Sequence, residues 1–373
     1  MKFLYFAGIA YFKVIKGCWE IGLGRLKRYR KSCLIMHKKK VLCFGELLLR
    51  ISPAAIDNEF SEKQPMLLYM GGAEANVATA LAGWNIPVKY CTVLPDNFMS
   101  KHVIDYLEYK GIFTSSIMYA GNRIGIYFLE RGADLKGQMV YDREHSSFSQ
   151  LKTGVVDWDK VLRDVSWFNF TAISPALNQN LADVCLEAAE AASRKGITVS
   201  LDLNYRSRLW KYGKQPVDIM PKLAEHCDVI MGNIWSANTL LGISIDENIH
   251  NKNSKKAYLN HSEATAKEMI KKFPKCKVVA NTFRFDSNAT SIVYYTGLYT
   301  EGKHYNSAEF TCEGVVDRSG SGDCFMAGLI YGLYNQNSPQ DVLNYATAAA
   351  FGKLQEMGDS TDQDVFTIKK MAK

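Results

Sequence analysis

Short apolar runs rich in β-branched and aromatic residues alternate with stretches of helical period along most of the chain. Residues 41–44, 88–94, 167–173, 197–201, 229–231 and 278–282 are near-continuous apolar segments of strand length. Runs of this kind, without strict apolar–polar alternation, are expected of strands covered on both faces. Between them, apolar positions recur at helical spacing near 73–82, 101–110, 181–195, 216–226 and 264–272. The alternation predicts an α/β fold, a mostly parallel sheet with helices on both faces. Two regions break the rhythm. Residues 47–52 and 123–141 read as short strands with polar alternation and Gly-rich turns, which predicts a small separate sheet. Ser338 and Pro339 supply a cap and a first-turn proline for the last major helix. Its Ala346-Thr347-Ala348-Ala349-Ala350 face is small enough to admit a flat base. The polar 251–256 stretch reads as a mobile loop.

Two glycine-rich segments carry the chemistry. Asp317-Arg318-Ser319-Gly320-Ser321-Gly322-Asp323 leads into an apolar-periodic helix. The free N–H groups of its first turn, with the unhindered backbone of Gly320, Ser321 and Gly322, would form a concave anion site. A carboxylate inside such a site suits a base that takes a proton from a hydroxyl attacking a bound phosphoryl group. The other reading is a glycine turn with Asp323 as an ordinary helix cap. Earlier in the chain, Gly71-Gly72-Ala73-Glu74-Ala75-Asn76 is again a glycine pair entering a small-residue helix. Here the glycines would let a ligand lie against the backbone, and Asn76, one turn on, could bond a sugar hydroxyl. The other reading is a small-residue helix packed tightly on a sheet.

Together and in this order, the two segments resemble the two signatures of the PfkB (ribokinase-like) carbohydrate kinases, from about residue 41 to about residue 358. No Walker A run occurs, as suits that family. The resemblance implies a ribokinase-like three-layer α/β/α sandwich whose small β-sheet is a lid over the sugar, often paired with a second subunit as a homodimer. It implies ATP as donor and Mg2+ held mainly by ATP oxygens, with Asp323 at the position of the family's catalytic aspartate. Asn233 and Thr282 would approach the nucleotide with Gly320 and Gly322. Two departures stand out. Ser236 replaces the glutamate of the family's Asn-x-x-Glu motif, and Phe283-Arg284-Phe285-Asp286 replaces a glycine-rich stretch after Thr282.

The segments 45–53 and 202–210 look like the 2-dehydro-3-deoxygluconokinase branch, in which an aspartate–asparagine–arginine run lies near the sugar acid. An arginine meets a carboxylate with two parallel hydrogen bonds, which a neutral hexose cannot reciprocate. Arg206 is therefore the first candidate for the substrate carboxylate, with a salt bridge to Asp202 as the alternative. Arg143, from the lid, is the second candidate, with a solvated turn charge as the alternative. Tyr127 could contact the ligand from a lid strand, and Asp202 and Asn204 could shape the site floor. The expected reaction is phosphorylation of 2-dehydro-3-deoxy-D-gluconate to its 6-phosphate. A fructokinase or another neutral-sugar kinase, and an idle sugar- or nucleotide-sensing protein, remain alternatives.

Charge and cysteine usage narrow the setting. The chain has 373 residues and a net charge of +7, but residues 1–40 hold 11 Lys/Arg and one acidic residue, Glu20. The remaining residues hold 34 Lys/Arg against 37 Asp/Glu, so the body is not basic and no nucleic-acid partner is expected. Residues 1–36 are read as a basic extension, disordered or upstream of a natural start at Met36, ahead of a kinase domain over 37–373. A signal peptide lacks a small-residue cleavage site here, and no membrane partner is expected. Nine cysteines without a Cys-x-x-Cys pair suit reduced thiols of a cytoplasmic protein. Cys324, beside Asp323, reads as a small residue that fits.

Overall fold

The six apolar runs and their neighbours hydrogen-bond side by side in a computed structural model that describes residues 39–54, 60, 62–130, 138–252, 254–286 and 291–373. The basic segment 1–36, and with it the expectation of a separate extension, lies outside the described residues. In chain order the strands are β1 Lys40–Phe44, β2 Leu48–Pro53, β3 Met66–Gly71, β4 Val88–Leu94, β5 Phe113–Tyr119, β6 Gly125–Leu129 and β7 Met139–Asp142. They continue with β8 Val165–Thr171, β9 Thr198–Asp202, β10 Val229–Gly232, β11 Val278–Asp286, β12 Ile292–Thr300, β13 Lys303–Asn306 and β14 Phe310–Cys312. The large sheet runs β5-β4-β1-β8-β9-β10-β11, all parallel, and continues antiparallel through β12 and β13, with β14 also on β12.

Side-chain alternation along the strands builds two cores. Val41 and Cys43 of β1 join one, with the helices Ala73–Gly83, Ser321–Tyr334 and Pro339–Lys353. Leu42 and Phe44 join the other, with the helices Gln179–Arg194 and Pro216–Ala224. This is a three-layer sandwich, and burial on both faces explains why the strand sequences are apolar throughout. The order reverses between β1 and β8. In such sheets the crevice outside the carboxyl ends of the strands is the place where ligands bind.

The small sheet has the order β3-β2-β6-β7. β2 pairs parallel with β6, while β2–β3 and β6–β7 are antiparallel. The expected lid is thus present, with residues 131–137 outside the described residues. Other expectations need correction. The 264–272 helix runs Lys255–Lys272, capped by Ser254, and the 251–256 stretch is flanked by helix on both sides. Ser262 and Thr265 face inward there, so the apolar period that marks a helix is broken. The Ala346–Ala350 face packs against the Ser321–Tyr334 helix: a Cβ on Gly328 would lie 2.5 Å from Ala346 Cα. Its small residues therefore serve helix–helix contact. No helix among the described residues is long and apolar enough to cross a membrane.

Candidate active site

The Ser321–Tyr334 helix begins on a left-handed residue, Gly320, with φ 75°. A Cβ there would sit 1.7 Å from the carbonyl oxygen of Asp359, so only glycine fits. The first intrahelical bond runs from Cys324 N–H to Gly320 O at 2.8 Å, which leaves the N–H groups of the first turn free of helical partners. Asp323 is the third helical residue and not the cap, which removes the ordinary-cap reading. Gly320→Ala is expected to lower the melting temperature and abolish turnover. A left-handed alanine costs about 1–2 kcal/mol before the backbone overlap with Asp359 is counted. An unchanged melting temperature would contradict this account of the loop.

Asp323 is buried, and its Oδ2 accepts a 2.7 Å hydrogen bond from Asn76 Nδ2. The second glycine pair makes this contact possible. Gly72, at φ 113°, opens the Ala73–Gly83 helix so close to the segment between β1 and β2 that a Cβ would lie 2.4 Å from the Glu46 carbonyl oxygen. Asn76 thus orients the carboxylate, while its own Oδ1 is buried without a hydrogen-bond partner among the described residues. Burial pushes the Asp323 carboxyl up to about 6, while Asn76 and then the Arg206 charge pull it down. Burial also raises Glu74, to about 7, and Asp202. Glu74 is held by the Thr171 N–H at 3.0 Å and the Thr171 hydroxyl at 2.8 Å.

Two cavities meet at Asp323. One, of about 460 Å³, opens over the carboxyl ends of β9, β10 and β11 and is lined by Asn233, Thr282 and residues 317–323. The other, of about 110 Å³, lies under the lid and is lined by Gly72, Asn76, Tyr127 and Arg143. Asp323, Arg206, Asn204 and Gly320 line both. A carboxylate with a pKa near neutrality at the junction of two chambers is suited to moving a proton between two bound groups. Gly71 lines neither chamber; its bare Cα faces Tyr127 and Asp359, which a Cβ would approach to 3.2 and 3.3 Å. Arg206 is exposed and forms no ion pair among the described residues, so the alternative of a salt bridge to Asp202 is not realised. Its charge nonetheless lowers both Asp202 and Asp323.

Residues 38–365 match the pfkB family carbohydrate kinase pattern. The chain belongs to that family. A 2-dehydro-3-deoxygluconokinase from Thermotoga maritima has a similar structure, with TM-score 0.82, 35% identity and coverage of 90% of this chain and 98% of that one. A 5-dehydro-2-deoxygluconokinase from Clostridium beijerinckii is 23% identical over 89% of this chain and 91% of its own. A ribokinase-II structure from E. coli in complex with ATP and Mg2+ shares the fold at TM-score 0.70 and 18% identity. This carbohydrate kinase thus carries the ribokinase-like sandwich and lid expected from its glycine signatures.

Several residues of this kinase gain a place that sequence alone did not give. Arg50 of the lid strand β2 is fully buried and donates to Asp317 at 2.9 Å and Asp359 at 3.2 Å. Tyr127 hydroxyl bonds Asp359. The lid is thereby tied to the loop that shapes Gly320. Arg143, read as a carboxylate ligand or a solvated charge, is buried and paired with Glu46, its Nε 2.9 Å from Oε2. Asn233 caps the Ile234–Leu241 helix by accepting from Ser236 N–H at 2.7 Å. It still lines the larger chamber, as do Ser236 and Thr282. The Cys324 thiol is buried, and that burial pushes its pKa up. No group of three or more His, Cys, Asp or Glu placed to hold a metal occurs among the described residues.

Proposed function

We propose that this carbohydrate kinase transfers the γ-phosphoryl group of ATP to the terminal hydroxyl of 2-dehydro-3-deoxy-D-gluconate, giving the 6-phosphate, with Asp323 as general base. The observation that carries the reading is the position of Asp323 on the wall shared by the two chambers, beside Arg206, which forms no ion pair among the described residues. In this reading the sugar acid lies in the lid-side chamber, with Asn76 Oδ1 accepting from one of its hydroxyls and Arg206 meeting its carboxylate. Gly72 leaves room for it, and Tyr127 and Arg143 bound its lid side. The nucleotide lies in the larger chamber near Asn233 and Thr282, and its Mg2+ supplies charge neutralisation. Asp323 takes the hydroxyl proton as that oxygen bonds to the γ-phosphorus and the bond to the β-phosphate oxygen breaks. The N–H groups of Gly320, Ser321 and Gly322 stabilise the charge on the moving group.

A second reading draws on the relatives named 5-dehydro-2-deoxygluconokinase. 5-Dehydro-2-deoxygluconate is also an acid with a terminal hydroxyl, and the same charge pairing would hold it. The exposed Met66, Leu67 and Leu68 of β3 support a homodimer through the lid. The buried cysteines of the described residues are all unpaired, which supports a reducing, cytoplasmic setting.

The pH profile follows from the burial of Asp323. Protonated below about 6, it cannot accept a proton, so kcat/KM should rise with pH through that value and then level. Removing the Arg206 charge should move this limb to higher pH, because that charge lowers the Asp323 pKa. A profile flat from pH 5 to 8 at about those limits would remove a carboxylate base of this kind. The product provides the direct test. Incubation with ATP, Mg2+ and 2-dehydro-3-deoxygluconate should yield a phosphomonoester on C6 by phosphorus and carbon NMR. Phosphate on another carbon, or no transfer, would reject the assignment.

A further inference from the structure

Strand β11 ends in a segment where the family's glycine-rich run is replaced, and it carries an arginine into the larger chamber. Arg284 Nη1 donates to Ser321 Oγ at 3.3 Å, which sets its guanidinium beside the first turn of the helix that bears Asp323. Arg318, on the loop just before that helix, lines the same chamber. Its Nη2 lies 2.9 Å from Asp286 Oδ1, while its Nε is buried with no hydrogen-bond partner among the described residues. Neither Arg284 nor Arg318 lines the lid-side chamber, whereas Arg206 lines both.

Arg284 forms no ion pair among the described residues, and Asp286 is already engaged by Arg318. Arg284 is exposed on β11, and its side chain faces the larger chamber. A guanidinium that has no carboxylate partner of its own is open to an entering anion. Two guanidinium forks next to free helix N–H groups fit the several oxygens of a polyphosphate. The nearby Ser236 carries no charge, and Arg284 and Arg318 are cations that line the chamber beside it.

We propose that Arg284 and Arg318 form a clamp on the terminal phosphates of the nucleotide, separate from the carboxylate contact assigned to Arg206. The inference rests on the nucleotide occupying the larger chamber and deepens that reading by naming the side chains that neutralise its phosphates. In such a clamp the guanidinium groups bind phosphate directly, so recognition persists without a divalent ion.

Calorimetric titration of the full chain with ATP and with adenosine, in buffer containing EDTA and no sugar, tests this without turnover. Arg284→Gln should weaken ATP binding by about tenfold or more, the loss expected for one charged hydrogen-bonding contact, and leave adenosine binding unchanged. Arg284→Lys should recover part of the loss, because it restores charge without the fork. Arg318→Gln provides a second variant, with the melting temperature as a check on folding. ATP affinity within about twofold of the parent in both glutamine variants, against the loss expected of a charged contact, would overturn the clamp. Equal losses for ATP and adenosine would also overturn it. Because no sugar is present, failure here is distinguishable from failure of the sugar-acid assignment.

Discussion

Asp323→Asn is expected to keep ATP binding and the fold while turnover falls by about 10²–10⁴-fold, the usual contribution of a positioned general base. The substitution is close to isosteric. An amide oxygen can still accept the hydrogen bond from Asn76 that Asp323 Oδ2 accepts at 2.7 Å, so the helix start should keep its geometry. What is lost is the capacity to take a proton, together with a negative charge that orients the attacking hydroxyl, and misorientation adds to the deficit. Single-turnover ADP formation with saturating sugar acid separates this from a binding defect, and calorimetry with ATP checks that the larger chamber is intact. Near-normal turnover in the purified variant would remove Asp323 from the mechanism.

The second large effect is expected from Arg206→Ala, which should raise KM for the acid substrate strongly and change kcat less. A hydrogen bond to a charged group contributes about 1.5–3 kcal/mol, or roughly ten- to 150-fold in kcat/KM. Arg206 is exposed, and water screens its charge there. The lower end of that range therefore applies unless the lid residues that share its chambers, such as Met139, exclude water around a bound substrate. Activity toward a neutral sugar should change little. An equal loss for acid and neutral substrates would show that Arg206 supports the site without reading a carboxylate.

The parts of the molecule set by local chemistry were legible in the sequence. β1, β4, β8, β9, β10 and β11 are apolar because both faces are covered, and the two glycine entries have backbone conformations or close approaches that other residues cannot adopt. Contacts between distant segments were not legible. Arg50 meets Asp317 and Asp359 across separations of 267 and 309 residues, and nothing local to Arg50 names those partners. Arg143 and Tyr127 were read as ligand contacts; both line the lid-side chamber, but Glu46 and Asp359 hold their polar groups. Two signals were available and unused. Asp317 opens the same run as Asp323, and Arg284 lies in the Phe283-Arg284-Phe285-Asp286 stretch that departs from the family's glycine-rich pattern. Strands β13 and β14 escaped because they are short and mix polar residues with aromatic ones, unlike the uniformly apolar central strands.

The central claim, a kinase for a sugar acid, is tested most directly by kcat/KM of the unaltered enzyme in an ADP-release assay. The substrates would be 2-dehydro-3-deoxygluconate, 5-dehydro-2-deoxygluconate and fructose at saturating ATP and Mg2+. The account predicts that 2-dehydro-3-deoxygluconate exceeds fructose by about tenfold or more, the discrimination expected from one charged contact that fructose cannot make. Comparable values for fructose and 2-dehydro-3-deoxygluconate would contradict it.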